Sequence, residues 1–157
     1  MIALLLLLLA QNPGADVETV YLRGWEAARE AARVGGTPES LAPVHLAIAL
    51  LERIAGGAHG PAEIGHYVLK AAADAAQDER DEMAIFLAHA IDLERRQIDA
   101  GQPGAPGITA HEAAGELWMR VRRYEDALRA YEHAKSVVGT TPLIEAGLVR
   151  AREAMNR

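Results

Sequence analysis

Residues 113–142 alternate small and large side chains at helical spacing, and this pattern constrains the fold more than any other part of the chain. The residues that carry it are Gly115, Trp118, Ala127, Tyr131 and Ala134. The steps of four and three residues from Ala127 to Ala134 place the side chains on one helix face. Small side chains on such a face let a second helix approach closely. The stretch therefore predicts a hairpin of two tightly packed helices.

The composition extends this prediction to the rest of the chain. Half of the 157 residues are apolar, but only seven are aromatic, so the core has to be built from Ala, Leu, Ile and Val. Alanine is the best helix former, and its small side chain suits close helix packing. Runs of β-branched residues are short and do not alternate with polar residues. We expect an all-α fold of about seven helices, arranged as stacked antiparallel hairpins.

Start and stop signals divide residues 16–100 into helices. Asp16 is a candidate N-cap for a helix that stops at the two glycines 35–36. Thr37 then offers an N-cap followed by proline in the first helical position, although Ser40 is an alternative cap. Pro43 is expected to lie in the first turn of that helix, where backbone donors are unpaired anyway. A third helix opens at Pro61.

Further signals mark the second half of the chain. The acidic run 78–82 suits the start of a fourth helix, which is expected to bury Met83 and Ile98 among its apolar residues. Residues 101–107 contain three glycines and two prolines and form the clearest loop. The spacing of Thr109 and Glu112 is that of a capping box. The loop is the best internal boundary, within what we expect to be one continuous domain.

The stretch 109–157 resembles the tetratricopeptide repeat (TPR). The matching positions are Gly115 and Trp118 on the first helix, followed by Tyr124, Ala127, Tyr131 and Ala134. The chain departs from the family pattern at His111 and Ala114, which stand where the family has Trp and Leu. The closing proline is displaced to Pro142, which begins a helix similar to the capping helix of such repeats.

The resemblance implies a short TPR-like solenoid in which residues 16–100 form diverged hairpins. A single repeat cannot bury its own core, so neighbouring helices have to stack on it. Such superhelices present a concave face to a peptide, a helix or another subunit. The implied function is that of a non-catalytic scaffold for a protein or peptide partner. Trp118 and Tyr131 are expected to belong to the repeat core rather than to a ligand surface.

Charge is distributed unevenly along the chain. Up to Glu112 there are 8 Lys/Arg and 16 Asp/Glu, whereas the remainder has 8 and 6, which gives the net charge of −6. The acidic first part argues against nucleic acid as a partner, because phosphate binding needs clustered positive charge. In the second part, Arg120, Arg122 and Arg123 either form a basic lip that grips carboxylates or lie on a solvated polar face.

The first ten residues are apolar, but they are too few to span a bilayer. Their length suits the hydrophobic region of a secretory signal peptide, with Ala10 at a possible cleavage site. This interpretation predicts an exported protein, periplasmic or extracellular. The alternative is a cytoplasmic protein in which segment 1–12 is a helix buried against the domain or another subunit. Any association with a membrane is expected through residues 1–10 alone.

Signals for chemistry are few. The chain has no cysteine, no phosphate-binding glycine loop and no nucleophile elbow, so we predict neither an enzyme nor a cofactor. Glu63 and His66 share one helix face, and they are the candidates in an alternative hypothesis of a helical metal-binding protein. Another alternative is a self-assembling subunit of an oligomer or filament, since uncapped repeat ends can stack head to tail.

Overall fold

The computed structural model describes residues 16–57 and 60–157, and these ranges contain seven α-helices and no strand. The prediction of an all-α fold is therefore confirmed. The helices are α1 (Val17–Arg33), α2 (Pro38–Ala55), α3 (Pro61–Ala76), α4 (Arg80–Asp99), α5 (Ala110–Arg120), α6 (Tyr124–Val138) and α7 (Pro142–Met155). Short turns join most of them, and consecutive helices pack against each other as hairpins within α1–α4 and within α5–α7.

The apolar segment 1–12, with its predicted signal peptide or buried helix, lies outside the described residues. Among the seven helices that are described, none combines the length and the hydropathy that crossing a bilayer would require. The chain divides into two compact units, which we call unit 1 (Met1–Ile108) and unit 2 (Thr109–Arg157). Unit 1 contains α1–α4 and unit 2 contains α5–α7, and the boundary follows the predicted loop 101–107.

Side-chain caps start α1, α2 and α5 at the expected positions. The Asp16 carboxylate accepts a hydrogen bond from the backbone N–H of Thr19 at 3.0 Å. Thr37, and not Ser40, caps α2, because the Ser40 N–H donates to the Thr37 hydroxyl. The capping box of α5 has both of its reciprocal hydrogen bonds. Each such cap contributes about 1 kcal/mol to helix stability.

Two local expectations are wrong. Pro43 is the sixth residue of α2 and lies in its second turn, where it lacks the N–H that would pair with the carbonyl of Glu39. The helix tolerates this loss between a side-chain cap and a left-handed glycine stop at Gly56. Ile98 was expected in the core, but it lies in the last turn of α4 and is 43% exposed.

In unit 1, α1 packs against both α2 and α3, and α3 also packs against α2 and α4. Glycine makes the closest approach possible: a Cβ on Gly24 would lie 2.4 Å from a Leu69 methyl group and 2.8 Å from the Ala47 Cβ. The buried Tyr21 on α1 donates its hydroxyl to the carbonyl of Ile108 at 3.0 Å. This bond ties the first helix to the end of the unit.

The loop 101–107 is fixed to unit 1 by a buried carboxylate. Glu94 on α4 is only 3% exposed, and its Oε1 accepts a hydrogen bond from the N–H of Ala105 at 2.9 Å. A Cβ on Gly104 would approach the same oxygen to 3.0 Å, so the loop lies directly against the carboxylate. Buried carboxylates require such partners, and this one uses the loop backbone.

Unit 2 is centred on Tyr131 of α6, which is fully buried. Its ring lies between Gly115 of α5 and Gly147 of α7, where an added Cβ would come within 2.5 Å and 2.3 Å of ring atoms. Both neighbouring helices pack on α6, and α5 also contacts α7. The core around this ring consists of Ala127, Tyr131, Ala134, Ile144, Leu148 and Ala151.

Candidate functional site

Unit 2 contains a cavity of about 410 Å³ beside the turn between α5 and α6 and the last turn of α7. Charged side chains and a few apolar groups surround it. The lining residues are Arg122, Arg123, Tyr124, Glu125, Asp126, Arg129, Ala154 and Met155. The cavity lies within the size range of small-ligand pockets, and it is large enough for two or three side chains of a partner.

A Schellman turn after α5 positions the first arginines. The N–H of Arg123 donates to the carbonyl of Trp118 at 2.9 Å, and the N–H of Arg122 donates to that of Met119 at 3.2 Å. Arg122 occupies the left-handed position of the turn with φ of +62°. Glycine is usual at this position, since a side chain there costs about 1–2 kcal/mol. The turn thus carries a guanidinium where the local fold favours glycine.

A single carboxylate organises the next two arginines. Asp126 Oδ2 pairs with Arg123 Nη2 at 2.7 Å, and its other oxygen pairs with the guanidinium of Arg129. The two arginines lie three residues before and three residues after the aspartate, so all three side chains share one side of the helix start. With Arg122 and Glu125, the lining has three positive groups and two negative ones. The side chains that line the cavity therefore carry a net charge of +1.

Trp118 lies next to this cluster. The guanidinium carbon of Arg123 lies 5.7 Å from the centroid of the Trp118 ring, within the range of a cation–π contact. The ring is partly buried and packs against the core of unit 2. Because it contacts both the core and a lining arginine, the indole is placed to report changes at the cavity.

The structure brings together two of the three predicted lip residues. Arg122 and Arg123 line the cavity, whereas Arg120 is the exposed last residue of α5 and does not line it. Sequence reasoning missed Asp126 and Arg129. The signal for them was present in the i, i+3 spacing of Arg123, Asp126 and Arg129, which puts opposite charges side by side on a helix.

The residues matched to the repeat fall into two groups. Gly115, Ala127, Tyr131 and Ala134 are buried within unit 2. Trp118 is only partly buried, and Tyr124 is partly exposed and lines the cavity.

The hydroxyl of Tyr131 belongs to a polar trio rather than to a reactive site. It donates to Glu116 Oε1, and the same oxygen pairs with the guanidinium of Arg150. Burial raises the pKa of Tyr131 far above its ordinary value, and the hydrogen bond to Glu116 adds to the effect. The phenol is therefore held as a hydrogen-bond donor that joins α5, α6 and α7.

The residues of the metal hypothesis lie in unit 1 on α3. His66 is 7% exposed, and its Nδ1 lies 3.3 Å from the carbonyl oxygen of Ile48, to which it donates in the matching tautomer. Burial, the largest effect, lowers its pKa. Within residues 16–57 and 60–157, no group of three or more His, Cys, Asp or Glu side chains is arranged to hold a metal ion. Glu63 and His66 therefore lack a third such ligand in the described part of the chain.

The cavity of unit 2 combines a strained arginine turn, a shared carboxylate and a neighbouring tryptophan, and its function has to be argued from these groups. Comparison of the chain with protein-family models gives no match, and comparisons with curated proteins and with solved structures give none either.

Proposed function

We propose that the protein is a non-catalytic helical scaffold for a protein partner, and that unit 2 binds an acidic segment of that partner at its cavity. The observation that carries the proposal is the arrangement of three arginines around one carboxylate beside a cavity of about 410 Å³. The resemblance of residues 109–157 to a peptide-binding repeat supports the same assignment.

The chemistry of the lining suits carboxylates. Guanidinium groups offer paired donors that match the two oxygens of a carboxylate. Asp126 already orients Arg123 and Arg129, so less side-chain entropy is lost when a second anion binds between them. Arg122 makes no ion pair with any residue of the described ranges, which leaves its guanidinium available to the partner.

Apolar groups complete the site. Met155 is 44% exposed at the end of α7, and Tyr124 is partly exposed at the start of α6. A peptide with alternating acidic and apolar side chains would therefore meet both kinds of group. Methionine adapts its shape to different partners, which suits a scaffold for peptides.

Strain at Arg122 supports a functional role for this turn. A residue held in the left-handed region persists where the surrounding structure or function requires its side chain. Glycine would relieve the strain, but it would remove a positive group from the cavity. A need for this positive charge in the cavity would explain why arginine occupies the position, although glycine there would give a more stable turn.

An exported setting is part of the proposal and depends on the apolar residues 1–10. If the segment is a signal peptide, the mature protein begins close to Gln11. Intact-mass measurement of protein purified from its native source tests this point. A mass that includes Met1 would contradict cleavage and favour the cytoplasmic alternative.

Fluorescence titration tests the binding site directly. Peptides rich in Asp and Glu are compared with matched peptides in which Asn and Gln replace the acids. We expect only the acidic peptides to change Trp118 emission, and we expect R122G and R123Q to weaken binding at least tenfold, or about 1.4 kcal/mol. W118F separates this signal from that of Trp25, and R152Q is the control, because Arg152 pairs with Glu132 away from the cavity lining.

Equal binding of acidic and neutral peptides would contradict the proposed site. An equal loss of peptide affinity in R152Q and R123Q would also contradict it, because affinity would then depend on the total charge of the protein and not on the cavity. The scaffold function has a separate test in cross-linking of the full chain in its native extract. Recovery of the protein alone, with no partner attached, would count against a scaffold.

Self-assembly is a second candidate, favoured by apolar side chains exposed near the end of unit 2. The exposed residues are Val137, Val138, Leu143, Val149 and Met155. A second copy could cover some of these side chains and bury their apolar area. Light scattering distinguishes the candidates: a concentration-dependent oligomer that V149E converts to monomer supports assembly, whereas a monomer at all concentrations excludes it.

A further inference from the structure

Two histidines meet on the surface of unit 2, apart from the arginine-lined cavity. His111 is the second residue of α5 and His133 lies in the second half of α6. The centroids of their imidazole rings are 4.0 Å apart, and the ring planes are inclined by 47°. The packing of α5 against α6 places the rings together, because the residues are far apart in the sequence.

The surroundings keep both rings available as ligands. His111 is partly buried, whereas His133 is exposed to solvent. Burial, followed by the charge of His133, lowers the pKa of His111 to about 4, so its ring is neutral near pH 7. The acidic residue after His111 and the acidic residue before His133 both bind other side chains. Glu112 bonds Thr109 and Thr141, and Glu132 pairs with Arg152.

We propose that His111 and His133 form a two-histidine site for a divalent transition-metal ion, with Cu²⁺, Ni²⁺ and Zn²⁺ as the ions that imidazole nitrogen suits. Solvent molecules fill the remaining coordination positions. The site is independent of the acidic-peptide function, since neither histidine lines the cavity. It is also distinct from the Glu63 and His66 hypothesis, which concerns unit 1.

The proximity of the two imidazole rings fits a metal site of this kind. Metal binding requires deprotonated imidazole, and a nearby second ring makes protonation of the first unfavourable. A chelate gains over a single histidine because the second ligand binds intramolecularly. The chain has no cysteine, so no thiolate competes for the ion. Such an ion would connect α5 to α6 and stabilise unit 2 by an amount that grows with the logarithm of its concentration above the Kd.

The test is a titration of the untagged full-length protein with Cu²⁺ near pH 7.5. Isothermal calorimetry measures the affinity and the number of ions bound, and electron paramagnetic resonance identifies the ligand atoms. We expect one equivalent bound through two nitrogen ligands. H111Q and H133Q should each weaken binding by at least about tenfold, since loss of a ligand costs no less than loss of an outer-shell partner. Zn²⁺ should compete for the same site.

The matched control is H45Q, because His45 is exposed on α2 in unit 1. Its affinity should equal that of the unchanged protein. Circular dichroism checks that each variant folds, and the exposed position of His133 keeps H133Q interpretable if H111Q unfolds unit 2. Absence of saturable binding would overturn the proposal. Equal affinity in H133Q and H45Q would overturn it as well.

Discussion

Each unit of the molecule buries one tyrosine completely, but the two tyrosines are held differently. Tyr21 of unit 1 donates to a neutral carbonyl at Ile108, and the nearest glycine Cβ, on Gly65, would lie 3.1 Å from its ring. Tyr131 of unit 2 donates to the carboxylate of Glu116, and its ring is pressed against two glycines. Unit 2, with three helices, depends on one side chain, whereas unit 1 distributes its packing over four helices.

The same contrast appears at two turns of identical type. Schellman turns follow α3 and α5, with Asp78 and Arg122 in their left-handed positions. Aspartate tolerates this conformation comparatively well, and the Asp78 carboxylate pairs locally with Arg80 at 3.0 Å. Arginine has no such local advantage, and Arg122 faces the cavity instead. The strain at Asp78 is therefore explained by local structure, whereas the strain at Arg122 has no local explanation and would be explained by the proposed ligand site.

The largest expected effect comes from filling the space beside Tyr131. In G147A the new Cβ would lie 2.3–2.6 Å from ring atoms, so we expect loss of about 3 kcal/mol through overpacking, only partly offset by the better helix propensity of alanine. G65A meets Tyr21 at 3.1 Å and should change stability by less than about 1 kcal/mol. Urea unfolding followed through Trp118 for unit 2 and Trp25 for unit 1 measures both.

Equal losses in G147A and G65A would contradict the dependence of unit 2 on one tyrosine. Each variant also serves as the control of the other, because the substitution is the same and the two lie in different units. If G147A also lowers the urea midpoint of the transition reported by Trp25, the two units unfold together.

The second effect is loss of unit 2 stability in acid. Burial lowers the pKa of His111 from 6.5 to about 4, and the charge of His133 adds to the shift. Because the folded pKa is lower than the unfolded one, the stabilisation is present above pH 6.5 and is lost as the pH falls through 4. The full shift corresponds to about 3 kcal/mol, of which partial exposure leaves about 1–2 kcal/mol.

Urea titrations of metal-free protein at pH 7 and pH 4.5, monitored through Trp118, measure this loss. H111Q cannot take up the proton, so its unit 2 should show a smaller decrease over the same interval. If the unchanged protein and H111Q lose stability in parallel, the acid sensitivity belongs to other groups.

Unit 1 should respond in the opposite direction at Asp74. Burial raises the pKa of this carboxyl from 3.8 to about 6, with further contributions from Glu79 and Glu82, and its buried Oδ2 has no hydrogen-bond partner among residues 16–57 and 60–157. A raised pKa contributes stability that is present below pH 3.8 and is lost as the pH rises through 6. D74N should therefore stabilise unit 1 at pH 7 by about 1–2 kcal/mol.

The measurement is unfolding of unit 1 through Trp25 in D74N and in the unchanged protein at pH 7 and pH 4.5. The gain in unfolding free energy that D74N gives unit 1 should be smaller at the lower pH, where Asp74 is largely neutral. D81N provides a matched control, since Asp81 is exposed in the first turn of α4. An advantage that is the same at both pH values would mean that the amide packs better and that ionisation is not involved.

Helix existence could be predicted from the sequence because caps and periodicity are local signals. Asp16 and the capping box at Thr109 act within four residues, and both lie where the sequence places them. The expectations for Pro43 and Ile98 were wrong: α2 starts at the Thr37 cap, which puts Pro43 in its second turn, and Ile98 lies on the exposed side of α4 in its last turn. Helix packing creates the contact of His111 with His133, which no spacing in the sequence indicates.

The candidate site shows the same limit. Two of its arginines could be named from their sequence, because consecutive basic residues in a predicted turn are conspicuous. Met155 could not be, since only the packing of α7 on α6 brings it to the cavity. The strain at Arg122 was also beyond sequence reasoning, because it depends on the backbone conformation of one residue.

The smallest expected effect on stability comes from placing glycine in the left-handed position of each Schellman turn. R122G should stabilise unit 2 by about 1 kcal/mol, since glycine adopts the left-handed conformation freely, and D78G should stabilise unit 1 by less because aspartate is less strained there. Only R122G should also weaken acidic-peptide binding, measured by Trp118 titration. A variant that is more stable but binds less well would show that the turn retains arginine for its ligand. If R122G gains stability and binds peptide unchanged, the strain at this turn has no part in recognition, and the contrast between the two turns is one of backbone preference alone.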